Sequence, residues 1–229
     1  MRCNRKTELV EKATNYVKSQ IPEYLNLDYN SDGEVDNICF IIRGQADLGE
    51  LLWPSRDNMS PIAIDSVNTH VYNLLIENYL GAGYSYTLYH EMFHTIGAPD
   101  LYNGSYPWFP IIGFWDLMAS EIDPPPSMCT YMKYKYGKWI SSIPEITQSG
   151  HYTLNPITAS SNNCYRIPSS DSSEYFVLEF RKMTGTFESS VYGTGLVIYR
   201  INTNLNVRNY SGPPYEVYVY RKDGSLEKQ

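Results

Sequence analysis

The string HEMFHTIGAPD constrains the fold more than any other segment of this 229-residue chain. Residues four apart lie on one face of an α-helix, so His90 and His94 can reach the same ion. Gly97 can adopt the left-handed conformation that turns the chain out of the helix, and Pro99 prevents the helix from resuming. The string therefore predicts a helix, a sharp turn, and the return of Asp100 toward the two histidines.

These residue types at this spacing point to metal-assisted hydrolysis. A catalytic zinc ion uses three protein ligands and keeps one coordination position open. The ion lowers the pKa of a water toward about 7, and a nearby carboxylate can take the proton. Glu91 lies one step round the helix from His90, close enough to reach such a water without binding the ion. We therefore predict His90, His94 and Asp100 as zinc ligands and Glu91 as the general base.

The third ligand has alternatives close by in the sequence. Asn103 is neutral, Tyr102 would need a phenolate or a long contact, and Asp116 could instead hold a turn by hydrogen bonds. A helix, a glycine turn and a delayed third ligand form the metzincin arrangement, here with Asp100 in the third place. Met118, in the string GFWDLMAS, is then the candidate for the methionine turn beneath the metal; the alternative is that it simply fills the core.

The segment DYNSDGEVDN has the spacing of a calcium-binding loop, with Gly33 at the sharp turn. Its candidate ligands are Asp28, Asn30, Asp32 and Asp36. It is not a complete EF-hand, because Cys39 stands where the bidentate glutamate would be. The alternative is a polar hairpin turn that holds no ion.

Composition excludes several classes of protein. Hydrophobic residues make up 42% and charged residues 19% of the chain, which is typical of a globular protein, and no apolar run approaches the roughly 20 residues of a membrane span. A net charge of −7 argues against binding to nucleic acid. The N-terminal string MRCNRKTELVEK lacks the apolar core of a signal peptide. The cysteines contain no CxxC pair and leave disulfide pairing open; they are Cys3, Cys39, Cys129 and Cys164.

The periodic patterns predict an α+β fold with a mixed twisted sheet and an active-site helix. Predicted helices cover residues 7–21 and 86–97 and the string SMCTYMKYKY. Predicted strands cover residues 38–44, 61–65, 71–80, 151–157, 174–181, 195–201 and 216–221. We accordingly expect a zinc peptidase catalytic region at 1–144 and a β-rich C-terminal region at 145–229 packed on it.

HEMFHTIGAPDLY, together with WDLMAS, resembles the immune inhibitor A-like family of secreted zinc metallopeptidases. The strings DYNSDGEVDNICFIIRG, LLWPSR, EYFVLEFRK and GTGLVIYRIN resemble further segments of that family, so the similarity spans about residues 25–205. The resemblance implies a zinc endopeptidase with His90 and His94 as ligands, Glu91 as general base and Met118 in the methionine turn. It also implies an extracellular location and longer flanking regions, including a prosegment.

The sequence thus predicts a secreted zinc-dependent metalloendopeptidase that acts on protein or peptide substrates through a water activated by Glu91. One alternative is a catalytically silent binding or adhesion module that keeps the fold, although an intact Glu91 argues against it. Another is a zinc hydrolase with a non-peptide substrate. Phe93 departs from the family, which commonly has Gly before the second histidine. Tyr106, Trp108 and Phe109 are candidates for the cleft wall, or else they pack their own loop.

Overall fold

A computed structural model describes residues 2–44, 51–81, 83, 85–105, 111–206 and 209–221. In these ranges the protein is mixed α+β, with two β-sheets and few helices, which confirms the predicted class. The chain divides into two compact units, Met1–Thr95 and Ile96–Gln229. This boundary precedes the predicted one at residue 144, because residues after 96 bond to the later strands: Thr130 N–H, for example, donates to the Glu179 carboxylate.

Among its described residues, the first unit contains a three-stranded sheet and two α-helices. The helices are α1 (Arg2–Val17) and α2 (Ser85–Thr95), and the strands are β1 (Cys39–Ile42), β2 (Ser55–Ile64) and β3 (Val67–Ile76). Short 3₁₀-helices follow α1 and β3 at Lys18–Gln20 and Glu77–Leu80. The strand order is β1-β3-β2, with β1 parallel and β2 antiparallel to β3.

The four-residue spacing of Leu9, Ala13 and Val17 predicts that this side of helix α1 faces the core, but a neighbouring side is buried instead. Val10 and Thr14 are both 1% exposed, whereas Leu9 and Val17 are 45% and 41% exposed. Thr14 can be buried because its hydroxyl donates to the Val10 carbonyl oxygen at 2.8 Å, which satisfies its polar atom within the helix. The core that Val10 joins is formed by Met59, Ile62, Tyr72, Leu74 and Ile76.

Strand β1 is only partly buried, whereas the apolar run ICFIIRG predicts a buried strand. It lies at one edge of the sheet, and its side chains alternate between the core and solvent. Phe40 and Ile42 pack against the core, whereas Ile41 is 58% exposed. The predicted strand at 71–80 also ends early, at Ile76, where the 3₁₀-helix begins.

In the described part of the second unit there are an antiparallel four-stranded sheet and one short helix. The helix is α3 (Thr130–Lys135), and the strands are β4 (Cys164–Pro168), β5 (Glu174–Arg181), β6 (Gly195–Asn202) and β7 (Val217–Val219), in the order β4-β5-β6-β7. The sequence pattern predicts β5 and β6 almost to the residue but misses β4. The predicted strand at 151–157 is wrong, because this segment forms only a single bridge, between Pro156 and Phe180. Proline has no N–H to donate to a neighbouring strand, so pairing does not continue through it.

Candidate metal site

Helix α2 is attached to the first sheet by a buried amide. Asn73 on β3 is fully buried, and its Nδ2 donates to Thr95 Oγ1 at 2.8 Å and to Asn37 Oδ1 at 3.0 Å. The Sδ atom of Met92 is a further acceptor at 3.4 Å. Sequence reasoning missed Asn73, although a polar residue inside the apolar run VYNLLI was a signal. The contact fixes the C-terminal half of α2 against the strand.

The two histidines of α2 face each other as the spacing predicts. The Nε2 atoms of His90 and His94 are 3.2 Å apart, and their rings meet edge to face at 88°. Both side chains are half-buried, whereas Glu91 on the same helix is only 8% exposed. The helix therefore presents two imidazoles side by side, with a shielded carboxylate one residue from His90.

The chain leaves α2 through the predicted glycine turn. Gly97 has φ of +89°, which confirms the left-handed conformation expected of it. A Cβ at this position would meet no atom within 4 Å, so glycine is needed for its dihedral angle and not for space. After the turn, one potential ligand atom from each of His90, His94 and Asp100 lies within 4.8 Å of the other two. In the part of the chain that the structure describes, this is the one group of three such side chains able to share an ion.

The spacing of the histidine nitrogens fits zinc. Two imidazole nitrogens on a tetrahedral zinc ion, each bonded at about 2.0–2.1 Å, are about 3.3–3.4 Å apart. The observed separation of His90 Nε2 and His94 Nε2, 3.2 Å, is close to that value. Two imidazoles and one carboxylate are also a ligand set that zinc accepts in catalytic sites.

The alternative ligand Asp116 is fully engaged elsewhere. It is completely buried, and its two carboxylate oxygens accept the N–H groups of Met118 at 2.8 Å and Cys129 at 2.7 Å. Burial raises the pKa of Asp116, while those backbone amides oppose the rise. Asp116 therefore holds the turn around Met118 by hydrogen bonds, which is the alternative to metal binding that the sequence suggests for it.

Met118 is fully buried within that turn. Its carbonyl oxygen accepts the N–H of Leu101 at 2.8 Å, so the backbone bonds directly to the residue after Asp100. Its role as the methionine turn of a metal site stays a prediction.

The other two alternatives also have different contacts. The Asn103 side chain accepts the Ser105 N–H at 2.8 Å and donates to the Gly212 carbonyl oxygen at 2.8 Å. The ring of Tyr102 packs edge-on against Tyr210, with centroids 5.8 Å apart.

The segment DYNSDGEVDN, residues 28–37, forms an acidic loop whose side chains accept hydrogen bonds from its own backbone. The carboxylate of Asp28 accepts the N–H groups of Asp32 and Gly33 at 3.0 and 2.8 Å. Asp36 accepts from Tyr29 N–H at 2.9 Å, and Asn30 and Asp32 make further bonds of this kind. These bonds shape the turn from within the chain, so calcium binding here stays a prediction.

The remaining histidines and cysteines lie outside this site. His70 Nδ1 is 2.6 Å from the Glu34 carboxylate, and His151 is exposed. Free thiols are present at Cys39, Cys129 and Cys164, and burial raises the pKa of each. The side chain of Cys3 and the predicted cleft residues Tyr106, Trp108 and Phe109 lie outside the described residues. No described helix has the length and apolar character needed to cross a bilayer.

Comparison with known proteins assigns no family to the chain. No family model matches it, and neither a curated protein nor a solved structure does. The features of the chain that bear on function are therefore the side chains around His90, His94 and Asp100 and the segments that hold them.

Proposed function

We propose that the protein is a secreted zinc-dependent metalloendopeptidase of metzincin type, similar to the immune inhibitor A-like family. The observation that carries the proposal is the group of His90, His94 and Asp100, with ligand atoms within 4.8 Å of one another, on and just after a helix that also carries Glu91. The extracellular location is supported by the sequence resemblance.

The ligand set suits hydrolysis as well as binding. His90 and His94 contribute neutral nitrogens, and Asp100 contributes one negative charge, so a zinc ion held by them keeps a net charge of about +1. When bound, zinc polarises the scissile carbonyl and lowers the pKa of a water at the site. Three protein ligands leave a position open for water and substrate.

Glu91 performs the proton transfers. Its carboxylate accepts the proton of the attacking water and then delivers it to the leaving amine when the peptide bond breaks. A general base must not itself be consumed as a metal ligand, and the group of potential ligands contains His90, His94 and Asp100 but not Glu91. Its low exposure of 8% keeps bulk water from screening its interaction with a nearby cation.

The test combines metal analysis with proteolysis. Purified protein should contain about one zinc per chain and should cleave denatured casein. A chelator should stop the cleavage, and zinc added back should restore it. Zinc without cleavage of any protein or peptide would contradict the proposal, and ester or amide hydrolysis in place of it would favour a zinc hydrolase of another substrate class.

A further inference from the structure

The residues after Asp100 are held by a segment far along the chain. Residues 101–105 run beside residues 209–217, which we call the 209–217 segment, and partners across this contact are more than 100 positions apart in the sequence. Leu101 and Asn103 are fully buried, and Asn209 is 1% exposed. Leu101 and Asn103 therefore lie in the interior, whereas Gly104 and Ser105 at the end of the stretch are exposed.

The first link is the side chain of Asn209. Its Nδ2 donates to the Val217 carbonyl oxygen at 2.7 Å and lies 3.5 Å from the Leu101 carbonyl oxygen. Its Oδ1 accepts the Val217 N–H at 3.0 Å. One buried amide thus joins the first residue of β7 to the residue after Asp100, as expected of a buried polar group that finds partners within the protein.

The second link is formed around Asn103. Its Nδ2 donates to the Gly212 carbonyl oxygen at 2.8 Å, and the neighbouring Gly104 N–H donates to the Tyr210 carbonyl oxygen at 2.9 Å. Gly104 also packs under the Tyr210 ring, where an added Cβ would lie 2.3 Å from the nearest ring carbon. Both backbones approach this closely because residue 104 has no side chain.

These links act on the conformation of Asp100 itself. The Leu101 N–H belongs to the same peptide plane as the Asp100 carbonyl group, and it donates to the Met118 carbonyl oxygen at 2.8 Å. With the Leu101 carbonyl group facing Asn209, both peptide planes of Leu101 are held. On its other side Asp100 follows the turn at Gly97, where φ is +89°.

We propose that the 209–217 segment positions the Asp100 carboxylate as a metal ligand, and that Asn209 and Asn103 are the positioning residues. The inference rests on the proposed zinc function, and it adds that metal affinity depends on residues that touch no ligand. Residues that orient a metal ligand typically contribute 10- to 100-fold to metal affinity.

The test measures zinc affinity by competition with a chromophoric chelator. Asn103→Ala and Asn209→Ala should each weaken zinc binding by about 10-fold. Asn163→Ala is the matched control, because Asn163 Nδ2 also donates to two backbone carbonyls of the second unit, Ala159 at 2.7 Å and Ile157 at 3.4 Å. It should leave zinc affinity unchanged.

A double-mutant cycle separates positioning from general loss of structure. If Asn209 acts through Asp100, then Asn209→Ala should cause no further loss of zinc affinity in a protein that already carries Asp100→Ala. An equal loss in both backgrounds, or unchanged affinity in both alanine variants, would overturn the inference. Wild-type protein that binds no zinc would instead defeat the proposed function, so the two failures are distinguishable.

A measurement on the wild-type protein covers the case in which the variants do not fold. Coupling is reciprocal, so a segment that favours zinc binding is itself stabilised by zinc. Zinc should slow hydrogen exchange at the Val217 and Gly104 amides more than at the Ile157 amide, which donates to the Phe180 carbonyl oxygen in the same unit. Equal slowing at all three amides would contradict the proposal that the 209–217 segment positions Asp100.

Discussion

At the scale of single residues, the side chains in and near the candidate metal site differ in the groups that each of them contacts. The four-residue spacing puts His90 and His94 on one face of α2, and their Nε2 atoms lie 3.2 Å apart. Asp116, a carboxylate of the same charge as Asp100, is occupied by two backbone N–H groups. The two aspartates therefore differ in their contacts: Asp116 holds a turn by hydrogen bonds, whereas Asp100 has a carboxylate oxygen within 4.8 Å of a nitrogen of each histidine.

Replacement of Glu91 tests the mechanism directly. We expect Glu91→Gln to retain zinc and to lose peptidase activity by about 10²- to 10⁴-fold, because the amide keeps the shape of the side chain but cannot accept the proton. Zinc content and casein cleavage are measured on the same preparation. Glu77→Gln, at an exposed glutamate 3.9 Å from Arg43, serves as the control and should behave as wild type. Near-normal cleavage by Glu91→Gln would disprove the assigned role.

At the scale of elements, the sequence predicts those features whose cause is local. The helix that carries the histidines, the turn at Gly97 and strands β5 and β6 all follow from spacing, and the structure has them. What the sequence does not predict depends on distant partners: the amide of Asn73 reaches across to Thr95, and Asn209 reaches Leu101. A sequence pattern shows that such residues are polar but not which carbonyl they will meet after folding.

Strand β5 ends in a buried charged group that holds the turn before Met118. Arg181 is fully buried and donates to Glu188 at 2.7 and 2.8 Å, to the Trp115 carbonyl oxygen at 2.5 Å and to Glu179 at 3.4 Å. Burial alone would lower the pKa of Arg181, but Tyr199 and the carboxylates of Glu179 and Glu188 raise it. The guanidinium thus ties the sheet of the second unit to the peptide that precedes Asp116.

We expect Arg181→Met to reduce the free energy of unfolding by about 3–5 kcal/mol, because it leaves the carboxylates of Glu179 and Glu188 buried without their cation. The matched control is Arg166→Met, since Arg166 also makes an ion pair, with Glu145 at 2.7 Å, but its side chain is 41% exposed. That change should cost no more than about 1 kcal/mol. Urea unfolding of both variants measures the difference, and equal losses would refute the interpretation.

The acidic loop gives a second prediction at this scale. If calcium binds at Asp28, Asn30, Asp32 and Asp36, millimolar calcium should raise the melting temperature of chelator-treated protein, because the ion binds only the folded loop. Asp28→Asn combined with Asp32→Asn should remove that response and leave the zinc content unchanged. A melting curve that is the same with and without calcium would indicate that the backbone hydrogen bonds hold this turn without an ion.

At the scale of the whole molecule, each compact unit has its own sheet and contributes in its own way to the proposed chemistry. The first unit carries α2 on a three-stranded sheet through Asn73, and this places His90, Glu91 and His94 on a fixed helix. The second unit holds the backbone after Asp100 by contacts with Met118 and with the 209–217 segment. Its antiparallel sheet, through Arg181, also supports the turn that contains Met118.

Because the proposed ligands take up their arrangement only in the folded chain, zinc should stabilise the protein by mass action. Free zinc at about 100 times its Kd contributes about 2.7 kcal/mol, which for a chain of this size raises the melting temperature by about 5–10 °C. The measurement is a thermal melt of chelator-treated protein with and without zinc. His94→Ala should lose most of this shift, whereas His151→Ala, at an exposed histidine outside the site, should retain it. A shift of the same size in both variants would place the zinc that stabilises the protein somewhere other than His90, His94 and Asp100.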